Sequence, residues 1–404
     1  MMEVLYMGER YVIVSAKRSP FGKHLGCLYQ IEALELASQV AKATLTASGK
    51  DLTDHIEQVF VGNCFATAFE TPSVVGRQIA LKLGLNVFAI TLDTACCSPL
   101  TGMRIALWGL RLGEYQAALI VGVESMSRIP HLNRQLRAGV RIGEIKLKDP
   151  IFPITYADYN PVAVDASNGA EKYGVSRLML DIMSVSSHLK WSDAYVAGKF
   201  VDEIVPLKTR KGKEEVIFDR DESPRPQATV ATTSMLPPIF GSKTTTAGNA
   251  PGLNDGASAM VIMTETKAKE LGVNILATIV DQVGHTDRPD GISWIPALAI
   301  NKVLYRNGLT IDDMDLIEIN EAFAAMPLVS TNLLAGGDKT QWHRLLVKTN
   351  VNGGAIAIGH PVGASGLRIV MTMMYELRRR GGGHGVAAIC GGLNQGEAVI
   401  VRVV

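Results

Sequence analysis

Two stretches of this chain, far apart in sequence, repeat one local design. Gly102-Met-Arg-Ile and Gly366-Leu-Arg-Ile each open a helix, and each helix leads to a small-residue apolar strand, Ala117-Ala-Leu-Ile-Val-Gly and Ala387-Ala-Ile-Cys-Gly-Gly. The second copy has the longer connection, Arg378 to Gly385. A helix and one buried strand cannot hide their apolar faces alone. Two copies this widely separated are not a solenoid, whose period is roughly 20–50 residues. They predict two similar α/β halves packed side by side.

The segments around the first copy agree. Tyr11 to Ala16 and Val59 to Gly62 read as buried strands, and Ile31 to Ser48 and Ser73 to Leu83 as helices. Ala89 to Asp93 leads into Cys96-Cys97, after which Ser98 is placed to cap a helix and Pro99 suits its first turn. That helix is expected to reach Leu112 and stop at Gly113. With 404 residues, 47% of them hydrophobic, the chain can bury a large core in two or three domains. Residues 129–247 differ in character. Arg134, Arg137, Arg141, Lys146 and Lys148 form one basic cluster, Lys208, Arg210, Lys211 and Lys213 another, and Pro224, Pro226, Pro237 and Pro238 follow. We read this stretch as an inserted, solvated cap domain; 1–128 plus 248–275 form one half and 276–404 the other.

Several classes are disfavoured. A formal charge of +1 gives no nucleic-acid footprint. Five cysteines at 27, 64, 96, 97 and 390 suit neither a disulfide framework nor a zinc site, and fit a reducing, cytoplasmic setting. Met1 to Arg10 shows no secretory signal, and no apolar run is long enough for a membrane span. No G-x-G-x-x-G sits between a strand and a helix with a downstream acid, which argues against a dinucleotide site.

Three segments set a reactive side chain beside glycine-rich backbone: Asp93-Thr-Ala-Cys-Cys-Ser-Pro-Leu, Gly359-His-Pro-Val-Gly-Ala-Ser-Gly and Cys390-Gly-Gly-Leu-Asn-Gln-Gly. A nucleophilic thiol, a base to activate it and a second proton carrier are the parts of an acyl-transfer site. At the strand-to-helix junction a cysteine meets unpaired N–H groups, which favour thiolate. Only one of Cys96 and Cys97 can face the pocket, and spacing does not choose between them. His360 is the expected base. Cys390 ends a buried strand, and Gly391-Gly392 offers backbone N–H groups for an oxyanion hole. Asn320-Glu321, after the strand Asp315 to Ile319, are the residue types that commonly cap the next helix.

At these residues the chain resembles the thiolase family over nearly its whole length. Ser15-Ala-Lys-Arg-Ser-Pro-Phe-Gly is similar to the family's opening strand and loop, and Thr246 to Ala257 to its T-A-G-N-A-S-G-x-N-D-G-A stretch. Asn320-Glu-Ala-Phe-Ala, Asn350 to Gly366 and Cys390-Gly-Gly with Gln395-Gly396 resemble its three late motifs. The resemblance implies a duplicated α-β-α-β-α five-layer core with an inserted loop domain. It places the nucleophile on Cys96, the base on His360 and the proton carrier on Cys390. Asn320 would hold a water that forms one oxyanion site with His360; N–H groups of Cys96 and Gly392 would form the other. It implies 3-oxoacyl-CoA cleavage, as in beta-oxidation, or the reverse condensation. Coenzyme A would be co-substrate, near Arg225, Ala250 and Pro251, with no permanent cofactor and no metal. A homodimer or homotetramer is expected. Some thiolases with unusual pockets also need a small OB-fold and zinc-ribbon subunit.

The chain departs from the family pattern at four places. The family's H-M-G-x-T-A-E is here Pro161 to Ser167, its G-P pair is Ser293-Trp294, its CoA-facing serine is Pro251, and Leu393-Asn394 interrupt the glycine run after Cys390. Placed around one pocket, these changes suggest a bulky branched or aromatic 3-oxoacyl-CoA, as in anaerobic aromatic degradation; a straight-chain thiolase with altered loop packing is the alternative. Asp93 to Leu100 is spelled like a ketosynthase elbow, but ketosynthases use Cys-His-His, and the third member here is Cys390.

Overall fold

A computed structural model of the chain describes residues 8–139, 142–152, 154–156 and 158–404. The first seven residues, with the leader reading placed on them, and Arg141 of the first basic cluster lie outside these. The described elements begin with β1 (Tyr11–Arg18), β2 (Gly22–Lys23), α1 (Ala33–Thr46), β3 (Gln58–Gly62), α2 (Val75–Lys82), β4 (Phe88–Leu92), α3 (Ser98–Leu112) and β5 (Ala117–Ser125). Next come α4 (Val162–Lys172), α5 (Arg177–Val196), the hairpin β6 (Leu207–Lys211) and β7 (Glu214–Phe218), and α6 (Val230–Ser234). β8 (Asn254–Thr264) returns to the sheet, followed by α7 (Glu265–Leu271). The second half is β9 (Ala277–Thr286), α8 (Ile295–Arg306), β10 (Leu316–Ile319), α9 (Ala325–Leu334), α10 (Lys339–Val347), α11 (Ala355–Ile358), α12 (Ser365–Arg379), β11 (Gly383–Cys390) and β12 (Gln395–Val403).

The strands run in the order β10-β11-β12-β9-β1-β8-β5-β3-β4, with β2 beside β8. The halves correspond. β3 and β5 pair in parallel, as do β10 and β11, and β5–β8 and β11–β12 are both antiparallel. A short antiparallel pairing of β1 with β9, from Tyr11–Ile279 to Ile13–Ala277, joins them.

Layering follows from strand alternation. Leu119 and Val121 of β5 pack with α1 and α2 in one core, while Ala118 and Ile120 turn to a second core filled by α3 and α12. In β11, Ala387 and Ile389 face that same central core, and Val386 and Ala388 face a third core under α8 and α9. The result is helix, sheet, helix, sheet, helix, with α3 and α12 in the middle. Among the described residues, no helix is long and apolar enough to cross a membrane.

Two local expectations need correction. Ser98 does not cap α3: Cys97 holds the N-cap position, and Ser98 Oγ turns back to accept from Thr94 N at 2.9 Å and donate to Ala95 O at 2.6 Å. Asn320 and Glu321 do not cap α9, whose N-cap is Ala324. Glu321 is buried instead, accepting from Ser187 Oγ, Asn350 Nδ2 and Ile356 N.

The segment between β5 and β8 is clamped to both halves by one buried guanidinium. Arg18, at the end of β1, binds Glu203 at 2.7 Å and Asp221 at 2.7 Å, with all three side chains at most 1% exposed. Asp221 also accepts from Trp191 Nε1, and Glu203 from Thr372 Oγ1 on α12. Removing one member of a buried charge group strands the others without solvent. Arg18→Ala should therefore lower the unfolding free energy by about 3–5 kcal/mol, read as a fall in the urea midpoint. A loss under about 1 kcal/mol would contradict the clamp.

Candidate active site

Three loops from both halves converge at the start of α3. Between β4 and α3 the chain turns sharply, with Ala95 at φ 54° and its N–H held by Asp93 Oδ1 at 2.9 Å. This turn separates the neighbouring cysteines. Cys97 is buried in the central core with its sulfur 3.6 Å from Ile389 O, whereas Cys96 keeps part of its surface open and meets His360 Nε2 at 3.1 Å.

Glycines permit the approach. A Cβ on Gly391, just past Cys390, would lie 2.8 Å from both Cys97 Sγ and Thr94 O. One on Gly363 would lie 2.4 Å from Val123 O. Any larger residue at either position would push the loops apart.

Hydrogen bonds fix the state of His360. Its backbone N–H donates to Asn254 Oδ1 at 2.9 Å. Nδ1 lies 2.6 Å from Ser365 Oγ, whose own proton is directed to Pro361 O at 3.0 Å. The serine oxygen must then accept from Nδ1–H, which leaves the Nε2 lone pair aimed at Cys96. Asn320 Nδ2 stands 3.4 Å from Nε2, and Arg368 Nη2 holds Asn320 Oδ1 at 3.1 Å, so the amide presents its NH2 side to the ring. Arg368 is itself paired at 2.7 Å with buried Glu318.

Burial governs the protonation states. Desolvation, reinforced by the Arg368 charge, pulls His360 down to about 3. Burial pushes the Cys96 thiol well above its ordinary value, and a thiolate at Cys390 would raise it further. Burial also lifts Cys390 to about 12. The helix-terminus argument alone favoured a standing thiolate at Cys96; here desolvation wins, and the resting pair is a neutral thiol beside a neutral base.

The sequence reading missed several participants. Glu124, near the end of β5 and in none of the three motifs, is buried and accepts from Cys64 N, Phe65 N, Asn63 Nδ2 and Gly363 N, bracing the histidine loop against the loop after β3. Burial raises Glu124 to about 7 against the pull of those N–H groups. Ser365 and Arg368 lay within recognised segments, yet their roles depend on tertiary contact.

The remaining expected residues lie on segments linked to these loops. Asn254 Nδ2 ties the segment containing Ala250 and Pro251 to Gly22 O and Ser223 Oγ, two residues from Arg225. Ala250 and Pro251 are half-buried; Arg225 is exposed, and its backbone N–H donates to His188 Nδ1. Gly392 follows Cys390, and because Gly391 N–H is taken by Gln395 O at 2.7 Å, Gly392 is the member of the glycine pair left to offer a donor. Three of the four departures adjoin: Ser293 Oγ donates to Ala166 O at 3.2 Å, and Trp294 and Asn394 both crowd Gly291. Trp294 packs against Tyr173 in the core under α8, with Nε1 on Asp287 Oδ2 at 2.8 Å. Ser293 is buried between Ala166 and Ser330. Leu393 stays by the site, 40% exposed and at φ 52°.

A thiol 3.1 Å from an imidazole nitrogen, at one end of paired α/β halves, has the parts that acyl transfer requires. The comparisons identify the family. The "Thiolase, N-terminal domain" model matches residues 11–266, and the "Thiolase, C-terminal domain" model matches 273–403. An acetyl-CoA acetyltransferase of Allochromatium vinosum is 38% identical over 406 residues, covering 98% of this chain and 100% of that protein. The crystal structure of human mitochondrial 3-ketoacyl-CoA thiolase superposes with TM-score 0.91 at 35% identity, covering 98% of this chain and 99% of the other. The same human enzyme in complex with CoA gives TM-score 0.89 at 35% identity, with 98% of each chain covered. This chain belongs to the thiolase family, and it is an acyltransferase.

Two outcomes follow from the histidine geometry. Between pH 6.5 and about 3 the unfolded imidazole binds a proton that the folded one refuses, so this group makes stability fall as pH drops through that window. His360→Gln should flatten that fall, seen by comparing urea midpoints at neutral and acid pH for both proteins; parallel curves would contradict it. Ser365→Ala should free the ring to adopt the other tautomer and lower kcat by about 10- to 100-fold, with little change in melting temperature.

Proposed function

We propose that this acyltransferase cleaves a 3-oxoacyl-CoA by thiolysis, carrying the shortened acyl group on Cys96. The observation that supports this most is the 3.1 Å approach of Cys96 Sγ to an Nε2 held as acceptor by Ser365. In this reading His360 takes the Cys96 proton as the sulfur attacks carbon 3. The bond between carbons 2 and 3 breaks, and the Cys390 thiol protonates the departing carbanion, which leaves as acetyl-CoA while the shortened acyl group stays on Cys96. Cys390 thiolate then deprotonates a second CoA, whose sulfur attacks the acyl carbon on Cys96. Cys96 leaves as thiolate and recovers its proton from His360, so the cycle is proton-neutral. Raised thiol pKa values suit these roles: both cysteines wait protonated, and charge appears only with substrate in place.

Asn320 with His360, and the N–H groups of Cys96 and Gly392, are assigned to the two oxyanion sites. CoA is a co-substrate and not a resident cofactor; its adenosine end is assigned to Arg225 and its arm to the Ala250-Pro251 segment. The condensing direction uses the same parts reversed, and relatives named acetyl-CoA acetyltransferase favour keeping it as the second reading. Leu393, projecting beside Gly392, supports a selective acyl pocket, with a bulky branched or aromatic substrate as the specific proposal. Exposed Phe88 on edge strand β4, with Trp108 and Leu112 of α3 also exposed, supports a homodimer or homotetramer. None of the five cysteines is in a disulfide, which supports a reducing, cytoplasmic setting.

The test is CoA-dependent thiolysis by purified protein of acetoacetyl-CoA, a long straight 3-oxoacyl-CoA, and branched and aryl 3-oxoacyl-CoA. Turnover of the larger members, lowered at least about 10³-fold in Cys96→Ala, is expected. Preference for acetoacetyl-CoA would remove the bulky-substrate proposal. Silence with every substrate would direct attention to an OB-fold accessory subunit, or to condensation of malonyl thioesters without free CoA.

A further inference from the structure

The segment between β5 and β8 sends one polar side chain into the space around the three loops, and none of the family motifs includes it. A tight turn holds Tyr156: its C=O accepts from Tyr159 N at 2.8 Å, Thr155 Oγ1 donates to Tyr159 O at 2.8 Å, and Val162 N to Ile154 O at 3.1 Å. Its ring reaches back to the glycine after Cys390-Gly391. A Cβ built on Gly392 would lie 2.9 Å from Tyr156 Oη, 3.3 Å from Tyr156 Cζ and 3.2 Å from Ala95 Cβ. The phenol and the cysteine elbow thus flank Gly392.

The phenol faces the reacting groups. Burial lifts it well above the ordinary tyrosine range, and charge on Cys96, Cys64, Asp93 and Cys390 lifts it further, so these four groups all act on the same hydroxyl. It stays protonated through the working pH range. Among the described residues no hydrogen-bond partner takes that proton. A phenol O–H beside a backbone donor and the cysteine elbow stands where it can stabilise developing negative charge.

We propose that Tyr156 donates a hydrogen bond to the carbonyl oxygen of the acyl group on Cys96, as a third donor beside the N–H groups of Cys96 and Gly392. The assignment rests on the Cys96 acyl-enzyme reading above. When CoA sulfur attacks, the new carbon–sulfur bond forms and the carbonyl oxygen takes the electron pair. Tyr156 keeps its proton and shares it with that oxygen. The pair returns as the bond to Cys96 breaks, and the Cys96 sulfur recovers its proton from His360.

Tyr156→Phe keeps the ring and deletes the donor. Expected is a fall in kcat of about 10- to 100-fold with KM within about twofold of wild type. The carbonyl stretch of the acyl-enzyme should move to higher frequency by infrared difference spectroscopy on acylated wild type and variant. Wild-type kcat with an unmoved carbonyl band would overturn the proposal, as would a raised KM with unchanged kcat, which marks a wall and not a donor. Labelling with radioactive acyl-CoA separates the two layers. Label on Cys96 in wild type and in Tyr156→Phe leaves the acyl-enzyme intact and makes the kcat and band comparison decisive. Wild type that takes no label on Cys96 would overturn the acyl-enzyme reading itself.

Discussion

Everything at the catalytic end depends on how closely two helix starts approach in the middle layer. A Cβ on Gly366 would sit 2.9 Å from Pro99 Cγ and 3.2 Å from Leu100 Cγ, so α12 begins almost against the first turn of α3. One half contributes Cys96 at its elbow, the other His360 just ahead of its helix, and this approach brings the sulfur and the ring nitrogen together. Glu124 and Asn254, both from the first half, then hold backbone N–H groups of the second half's histidine loop. The site is therefore a seam between repeats, and neither half contains it.

Low dielectric sets the chemistry of that seam. Cys96, Cys390 and His360 are each driven toward the neutral form by burial, and the nearest full cation, Arg368, is committed to Glu318 and to the Asn320 oxygen. A standing ion pair would need solvation the pocket does not provide. In the proposed mechanism charge appears only as substrate arrives with its own compensating oxygen, opposite the assigned donors.

Much of this was legible in the residues. Strand and helix periodicity located β1, α1, β3, α2, α3 and β5 within a few residues, because each is an amphipathic or fully buried run closed by glycine or a turn. The glycine-flanked Cys96, His360 and Cys390 stood out because glycine at such density implies backbone approach. What stayed hidden was set by distance in sequence. Cys96 and Cys97 are equivalent along the chain; only the positive φ at Ala95 and the contact with Ile389 tell them apart. Ser98 and Glu321 have the right side chains for caps, but closer partners claimed them. Trp294 stood out by its place in a motif, but its packing against Tyr173 and the bond from its indole N–H to exposed Asp287 depend on the fold. Tyr156 carries no local signal, since only the folded loop points it at Gly392.

The guanidinium of Arg18 has one more effect. Glu203 and Asp221 belong to the covering segment, Arg18 to the central sheet and Thr372 to the middle helix, so one knot fastens roof, wall and floor. To lift the roof would strand three buried charges, and local opening there approaches the difficulty of unfolding the whole molecule. That segment is thus a riveted part of the body and not a flap hung on its surface.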